Sequence, residues 1–256
     1  GAPVVHLDVS ADQENAQVAV TLSEVLPDGA VTRLSYGILN LTHRDSHEDL
    51  KPVTPGERCQ VTIRLNECAQ KIGAGSKVRL AISSAYWHII WPSPKPVTLS
   101  VTTGTSSLEL PVRPKRPEDA RLRKFEPAEN APALNCTRIQ PGEHRVTTDR
   151  DLYTDKHSYE LFADDGMTHN NDTGWTYGSS SRRRYSITST DPTSAEASLS
   201  WTKDYVRDNW SVSILADIHM SVTEDHYLIH AELDAYEGEA RAYSNQWNCK
   251  IPRDHG

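Results

Sequence analysis

The segment 210-WSVSILADIHMSV-222 carries an apolar residue at every even position: Trp210, Val212, Ile214, Ala216, Ile218, Met220 and Val222. Between them stand Ser211, Ser213, Asp217, His219 and Ser221, with Leu215 as the one exception. A period of two puts alternate side chains on opposite faces of an extended strand, so this is a strand with one apolar and one wet face. After the turn-like 223-TED-225 the same rhythm resumes with Tyr227, Ile229, Ala231, Leu233 and Ala235. A second turn, 236-YEGE-239, leads to Tyr243, Trp247, Cys249 and Ile251 on one face. Three successive antiparallel strands are the economical reading, and Ala195, Ala197, Leu199 and Trp201 add a fourth upstream.

The first half follows the same rule. Ala16, Val18, Val20 and Leu22 alternate up to the turn 26-LPDG-29. Further strands fit Val61/Ile63/Leu65, Val78/Leu80/Ile82, Leu99/Val101 and Leu108/Leu110/Val112, separated by turns at Pro55-Gly56, Gly73-Ala74-Gly75 and Gly104. No convincing amphipathic helix is present; 118-EDARLRKF-125 gives at most two turns. The expected class is all-β, a jelly-roll or β-sandwich followed by a second antiparallel β region. Residues 111–135 carry five prolines and many charges. Proline removes a ladder donor and holds its predecessor extended, so a surface connector is expected here. The expected division is a jelly roll over 1–112, a connector over 113–135 and the second region over 136–256.

Composition bounds the function. The 256 residues suffice for a full core, and six Trp and ten Tyr supply large buried areas. A formal charge of −8 argues against a nucleic-acid or anionic-membrane partner, and Arg182-Arg183-Arg184 reads as a solvated strand or turn. No apolar run approaches the ~18 residues that a membrane helix needs. The chain opens 1-GAPVVHLDVS-10, without Met and already strand-like, as expected of a processed chain or an excised fragment. Cys59, Cys68, Cys136 and Cys249 lack metal or disulfide spacing and read as reduced, which favours a cytoplasmic setting.

Catalytic signatures are missing. Serine chemistry needs a nucleophile on a strained strand-to-helix elbow, and neither 73-GAGSKV-78, 104-GTSSLEL-110 nor 177-YGSSSRR-183 matches G-x-S-x-G. His226, His230, Glu232 and Asp234 share one strand face and Asp217 and His219 share its neighbour's. A wet hairpin face, with Asp217 near His230 as a charge pair, explains them without a metal. The acidic run 162-FADDGMTHNNDTG-174, with Asp164, Asp165, His169 and Asp172, lacks EF-hand spacing and reads as a solvated loop. No catalytic, cofactor-binding or metal-ligating residue is assigned, and no cofactor is expected. What stands out instead is 81-AISSAYWHIIWPSP-94, where Tyr86, Trp87, Ile89, Ile90 and Trp91 crowd the end of a strand.

Three consecutive blocks carry a family resemblance: 18-VAVTLSEVLPDGAVTRLSYGILNLTHRDS-46, 52-PVTPGERCQVTIRL-65 and 73-GAGSKVRLAISSAYW-87. In order and spacing they resemble the C-terminal jelly roll of the X-Pro dipeptidyl-peptidase and cocaine-esterase (CocE/NonD) class of serine hydrolases, over roughly residues 3–112. The pieces 232-ELDAYEGEARAYSNQW-247 and 251-IPRD-254 resemble, more weakly, a tail found in some bacterial members. The resemblance implies a parent protein that hydrolyses ester or amide bonds, with its triad on a preceding α/β-hydrolase domain. That domain is not in this chain, which departs from the pattern also in opening short of an expected first strand. No catalytic residue is therefore carried over. The partner it implies is the catalytic domain, and the aromatic tip at Tyr86–Trp91 is the expected docking surface, self-association being the other way to cover it. A free-standing β-sandwich module for carbohydrate or another ligand is the alternative.

Overall fold

The computed structural model describes residues 1–255. Fifteen strands and two short 3-10 turns make up its regular structure, and the chain divides into two compact units. The first comprises Gly1–Ser93, Val97–Asn130 and His255; the second comprises Pro94–Pro96 and Ala131–Asp254.

Seven strands build the first unit: β1 (Val4–Ala11), β2 (Gln17–Val25), β3 (Val31–Asn40), β4 (Cys59–Arg64), β5 (Lys77–Ser83), β6 (Leu99–Val101) and β7 (Ser107–Glu109). They form two antiparallel sheets. One has the order β4-β1-β6, with β7 also beside β1; the other is β3-β2-β5. Alternation explains the core. Val5, Leu7, Val9 and Ala11 of β1 are buried together with Val18, Val20 and Leu22 of β2 and Val61 and Ile63 of β4. Burying such side chains contributes about 1.5–3 kcal/mol each before entropy is charged against it. The result is a β-sandwich. Its last strand ends at Glu109, earlier than the alternation of Leu110 and Val112 suggests, and both of those side chains are exposed. The connector is exposed apart from the half-buried Asp119, and its only regular piece is a 3-10 turn over Pro117–Arg121.

The second unit is a single eight-stranded antiparallel sheet. Its strands are β8 (Cys136–Gln140), β9 (Glu143–Asp151), β10 (Lys156–Asn170), β11 (Trp175–Thr188), β12 (Asp191–Arg207), β13 (Trp210–Val222), β14 (His226–Glu237) and β15 (Ala240–Pro252). β10 to β15 run as a meander, and β8 and β9 both pair with β10. The register sets Ile214 opposite Ala235, Ala216 opposite Leu233 and Met220 opposite Ile229, so the even positions of β13 continue into an apolar face across the sheet. Most of these side chains are half-buried, and Ala195, Ala197 and Val222 are the buried apolar ones.

The segment 162–174 corrects the loop expected there. Its first nine residues lie within β10, which holds a bulge between Asp164 and Met167. Gly166 sits in the bulge at φ +65°, a left-handed conformation that suits glycine, and its N–H donates to Asp164 Oδ1 at 2.7 Å.

Candidate functional site

The aromatic tip begins where β5 leaves its pairing with β2. Ser83 donates to the Ala85 carbonyl at 2.7 Å, and the chain then curls so that the amides of Ile89 and Ile90 both reach the Tyr86 carbonyl, at 2.9 and 3.1 Å. Proline at 92, 94 and 96 stops any further ladder.

Each aromatic ring is placed by a neighbour. Tyr86 meets Tyr36 of β3 edge-on at 5.7 Å between centroids. The Arg33 guanidinium lies 5.0 Å from the centre of the Tyr36 ring and donates to the Tyr86 hydroxyl. Trp87 and Trp91 pack T-shaped at 5.1 Å, the favourable edge-to-face arrangement. Gln17 of β2 donates to the Trp91 carbonyl at 3.0 Å, tying the far end of the curl to the central strand. Burial of His88 between the tryptophans in sequence holds its pKa below the ordinary imidazole value. Tyr86, Trp87, Ile90 and Trp91 are half-buried. Ile89 alone of the five is exposed, at 47% of its surface. The tip is thus an ordered aromatic base with one apolar side chain held out at its apex.

The charged residues of the second unit come together differently. The register of β13 and β14 places His219 opposite His230 and Asp217 opposite Glu232, so Asp217 faces a like charge directly and His230 only diagonally. The pair expected between Asp217 and His230 is replaced by two local bonds: His219 Nδ1 to Ser198 Oγ at 3.2 Å and His230 Nδ1 to Asn248 Oδ1 at 2.8 Å. Ser198, Asp217, His219 and His230 border a groove of about 430 Å³ with Glu160, Arg182 and Arg184. Glu160 there lies 3.3 Å from Arg182 and 3.9 Å from Arg145. Of the Arg182–Arg184 run, Arg182 and Arg184 are exposed on β11 and Arg183 is half-buried. Asp164, Asp165, His169 and Asp172 do not converge: Asp165 pairs with His144 at 3.5 Å, His169 bonds Thr176 at 2.9 Å and Asp172 accepts from Asn135 at 2.8 Å.

The family model of the X-Pro dipeptidyl-peptidase C-terminal non-catalytic domain matches residues 1–149. The chain belongs to this family. The match takes in the whole sandwich of the X-Pro dipeptidyl-peptidase C-terminal domain and runs past residue 112, through the connector and β8 to Asp149 in β9. No curated protein matches the chain. Ser106, in one of the serine-rich stretches, donates to the Thr102 carbonyl at 2.9 Å and accepts from the Asp8 amide at 3.1 Å.

One aromatic group was not singled out in the sequence. Trp175, Tyr177, Tyr205 and Trp210 gather on one face of β11, β12 and β13. The signal available was weak: Trp175 and Trp210 each follow a turn, 171-NDTG-174 and 208-DN-209.

Proposed function

We propose that this chain is the accessory region of a serine hydrolase whose α/β-hydrolase domain carries out ester or amide hydrolysis. In this reading 1–112 is the jelly-roll domain, 113–135 the connector and 136–256 a further β region. The jelly roll packs on the catalytic domain through Tyr86, Trp87, Ile89, Ile90 and Trp91 and helps to shape the surroundings of the active site. Membership in a non-catalytic, C-terminal family carries the proposal, because such a domain implies a catalytic one elsewhere in the parent protein.

The exposure of Ile89 supports the choice of surface. An apolar apex on an aromatic base suits a protein interface, where a few well-packed anchors carry much of the energy and truncation of the best costs on the order of 2 kcal/mol or more. The test is a binding titration of the 256-residue chain against a separately expressed α/β-hydrolase domain from the same reading frame. Wild type should bind and Ile89→Asp should not. Equal binding by both would remove the tip from the interface, and self-association lost with Ile89→Asp would make a second copy the occupant.

A free-standing ligand-binding module is the second reading. It is favoured by the exposed aromatic group on β11–β13.

A further inference from the structure

Two adjoining depressions open on the same face of the second unit's sheet. One, of about 370 Å³, is lined by Asn170, Thr173, Trp175, Tyr177 and Tyr205. The other, of about 720 Å³, shares Tyr177 and Tyr205 and extends to Lys203, Arg138 and His144. Each is within or close to the size range of small-ligand sites.

The register explains the floor. Tyr177 stands directly opposite Tyr205, Thr176 opposite Val206, and Arg207 opposite Trp210, so four rings from three strands share a face. Trp175 is the hub. Tyr205 meets it edge-on at 6.4 Å and Trp210 at 5.6 Å, while the Arg207 guanidinium lies 4.8 Å from its ring centre. Trp210 is further fixed by its indole N–H, which donates to Glu237 Oε1 at 2.9 Å. Despite this ordering Trp210 keeps 42% of its surface exposed, and Tyr177, opposite Tyr205, keeps 38%. Rings held in place by neighbours lose little freedom on meeting a ligand, which is the economy of a preformed aromatic platform.

The rim is polar. Lys203 lies on the same face two residues before Tyr205. Arg138 pairs with Thr168, which in turn pairs with Tyr177, so it shares that face from β8. The core of a protein-docking patch is depleted in charge, whereas this platform adjoins donors and acceptors within the same cleft. A flat apolar ring edged by hydroxyls has the complementary character. Its axial C–H face covers an aromatic ring while its equatorial hydroxyls meet the rim.

We propose that this cleft binds a polysaccharide, stacking one pyranose ring on Tyr177 within it and the next on Trp210, which lies just beyond its edge against Trp175, and hydrogen-bonding their hydroxyls to the Lys203–Arg138 rim. The proposal rests on the second unit alone and is independent of the docking tip. Native affinity electrophoresis of the 256-residue chain in gels containing hydroxyethylcellulose, xylan or polygalacturonate tests it. Retardation is expected in at least one gel, and Tyr177→Ala and Trp210→Ala should weaken it about three- to tenfold. Tyr177→Phe keeps the ring and should retain binding, which separates stacking from damage to the fold. Tyr243→Ala, which removes an equally exposed ring (48%) outside the cleft, should change nothing. Lys203→Ala distinguishes the sources: a loss confined to polygalacturonate marks an acidic sugar, and none marks a neutral one. Migration unchanged in all three gels, or equal loss with Tyr243→Ala, would overturn the proposal.

Discussion

Asp8 and Arg58 meet in a bidentate pair: Arg58 Nε donates to Asp8 Oδ1 at 2.9 Å, and its terminal nitrogen donates to Oδ2. Asp8 lies on β1 between the core residues Leu7 and Val9, facing away from them, yet it is buried. Thr105 donates to the same carboxylate at 3.0 Å, and the Asp8 carbonyl accepts from the Thr102 amide at 2.8 Å. One acidic residue therefore ties the loop before β4 and the β6–β7 turn to the strand at the centre of the sheet.

This pairing gives the fold an acid-sensitive component. The hydrogen bonds from Arg58, then Thr105, hold the Asp8 pKa below its ordinary 3.8. A carboxylate depressed in the folded state stabilises it above the unfolded pKa, and the contribution fades as pH falls through the folded value. Asp12, bonded by Thr98, and Glu24, bonded by Ser76 and Gly73, act in the same direction. The melting temperature should therefore fall as pH drops below about 4. Asp8→Asn should melt lower at pH 7 and show a shallower decline. Parallel curves for the two proteins would contradict the assignment.

Gly166→Ala should be among the more damaging single changes in the second unit. A β-carbon there would stand 2.1 Å from the Gln140 carbonyl, and the backbone is at φ +65°. Alanine where φ is positive costs more than about 1 kcal/mol, and here the neighbour in the way is backbone that must shift. Hydrogen exchange should quicken at Thr137–Ile139 in β8, the strand beside the bulge. Unaltered exchange and an unaltered melting temperature would show that the bulge tolerates a side chain.

The tip should separate folding from docking. Ile89 is exposed, so Ile89→Asp should change stability by no more than about 0.5 kcal/mol. Trp91 is half-buried against Trp87, so Trp91→Ala should cost roughly 2 kcal/mol, part of the penalty for emptying a core site. Thermal melts of the two variants decide it. A large loss from Ile89→Asp would place that side chain in the fold rather than at its surface.

Trypsin should cut first between Arg113 and Lys124. This stretch is largely exposed and is ordered only locally, by the 3-10 turn and the Arg113–Asp119 and Arg123–Glu126 pairs, whereas Arg182 and Arg184 lie in the eight-stranded sheet. Initial cleavage after Arg182 would mean that β11 opens more readily than the connector.

How legible all this was in the sequence depended on exposure. In β13 and β14 one face is apolar and the other wet, so the alternation of Trp210–Val222 and Tyr227–Ala235 is visible residue by residue. In β9 every side chain is exposed, and 143-EHRVTTDRD-151 has no two-sided contrast to read. In β10 the bulge at Gly166 also shifts which positions share a face, so Asp164 and His169 looked like a loop. Pairing partners are a further step. Nothing local shows that Asp217 faces Glu232 rather than His230, because register comes from the whole ladder. The same holds for both aromatic groups. The content of 86-YWHIIW-91 was evident, but its anchoring by Tyr36, Arg33 and Gln17 depends on contacts 50 to 74 residues away.

The most direct test of the accessory role is the reading frame immediately upstream of the codon for Gly1. It should encode, in frame, an α/β-hydrolase domain with a G-x-S-x-G elbow. A stop codon or an unrelated module in that position would contradict the account.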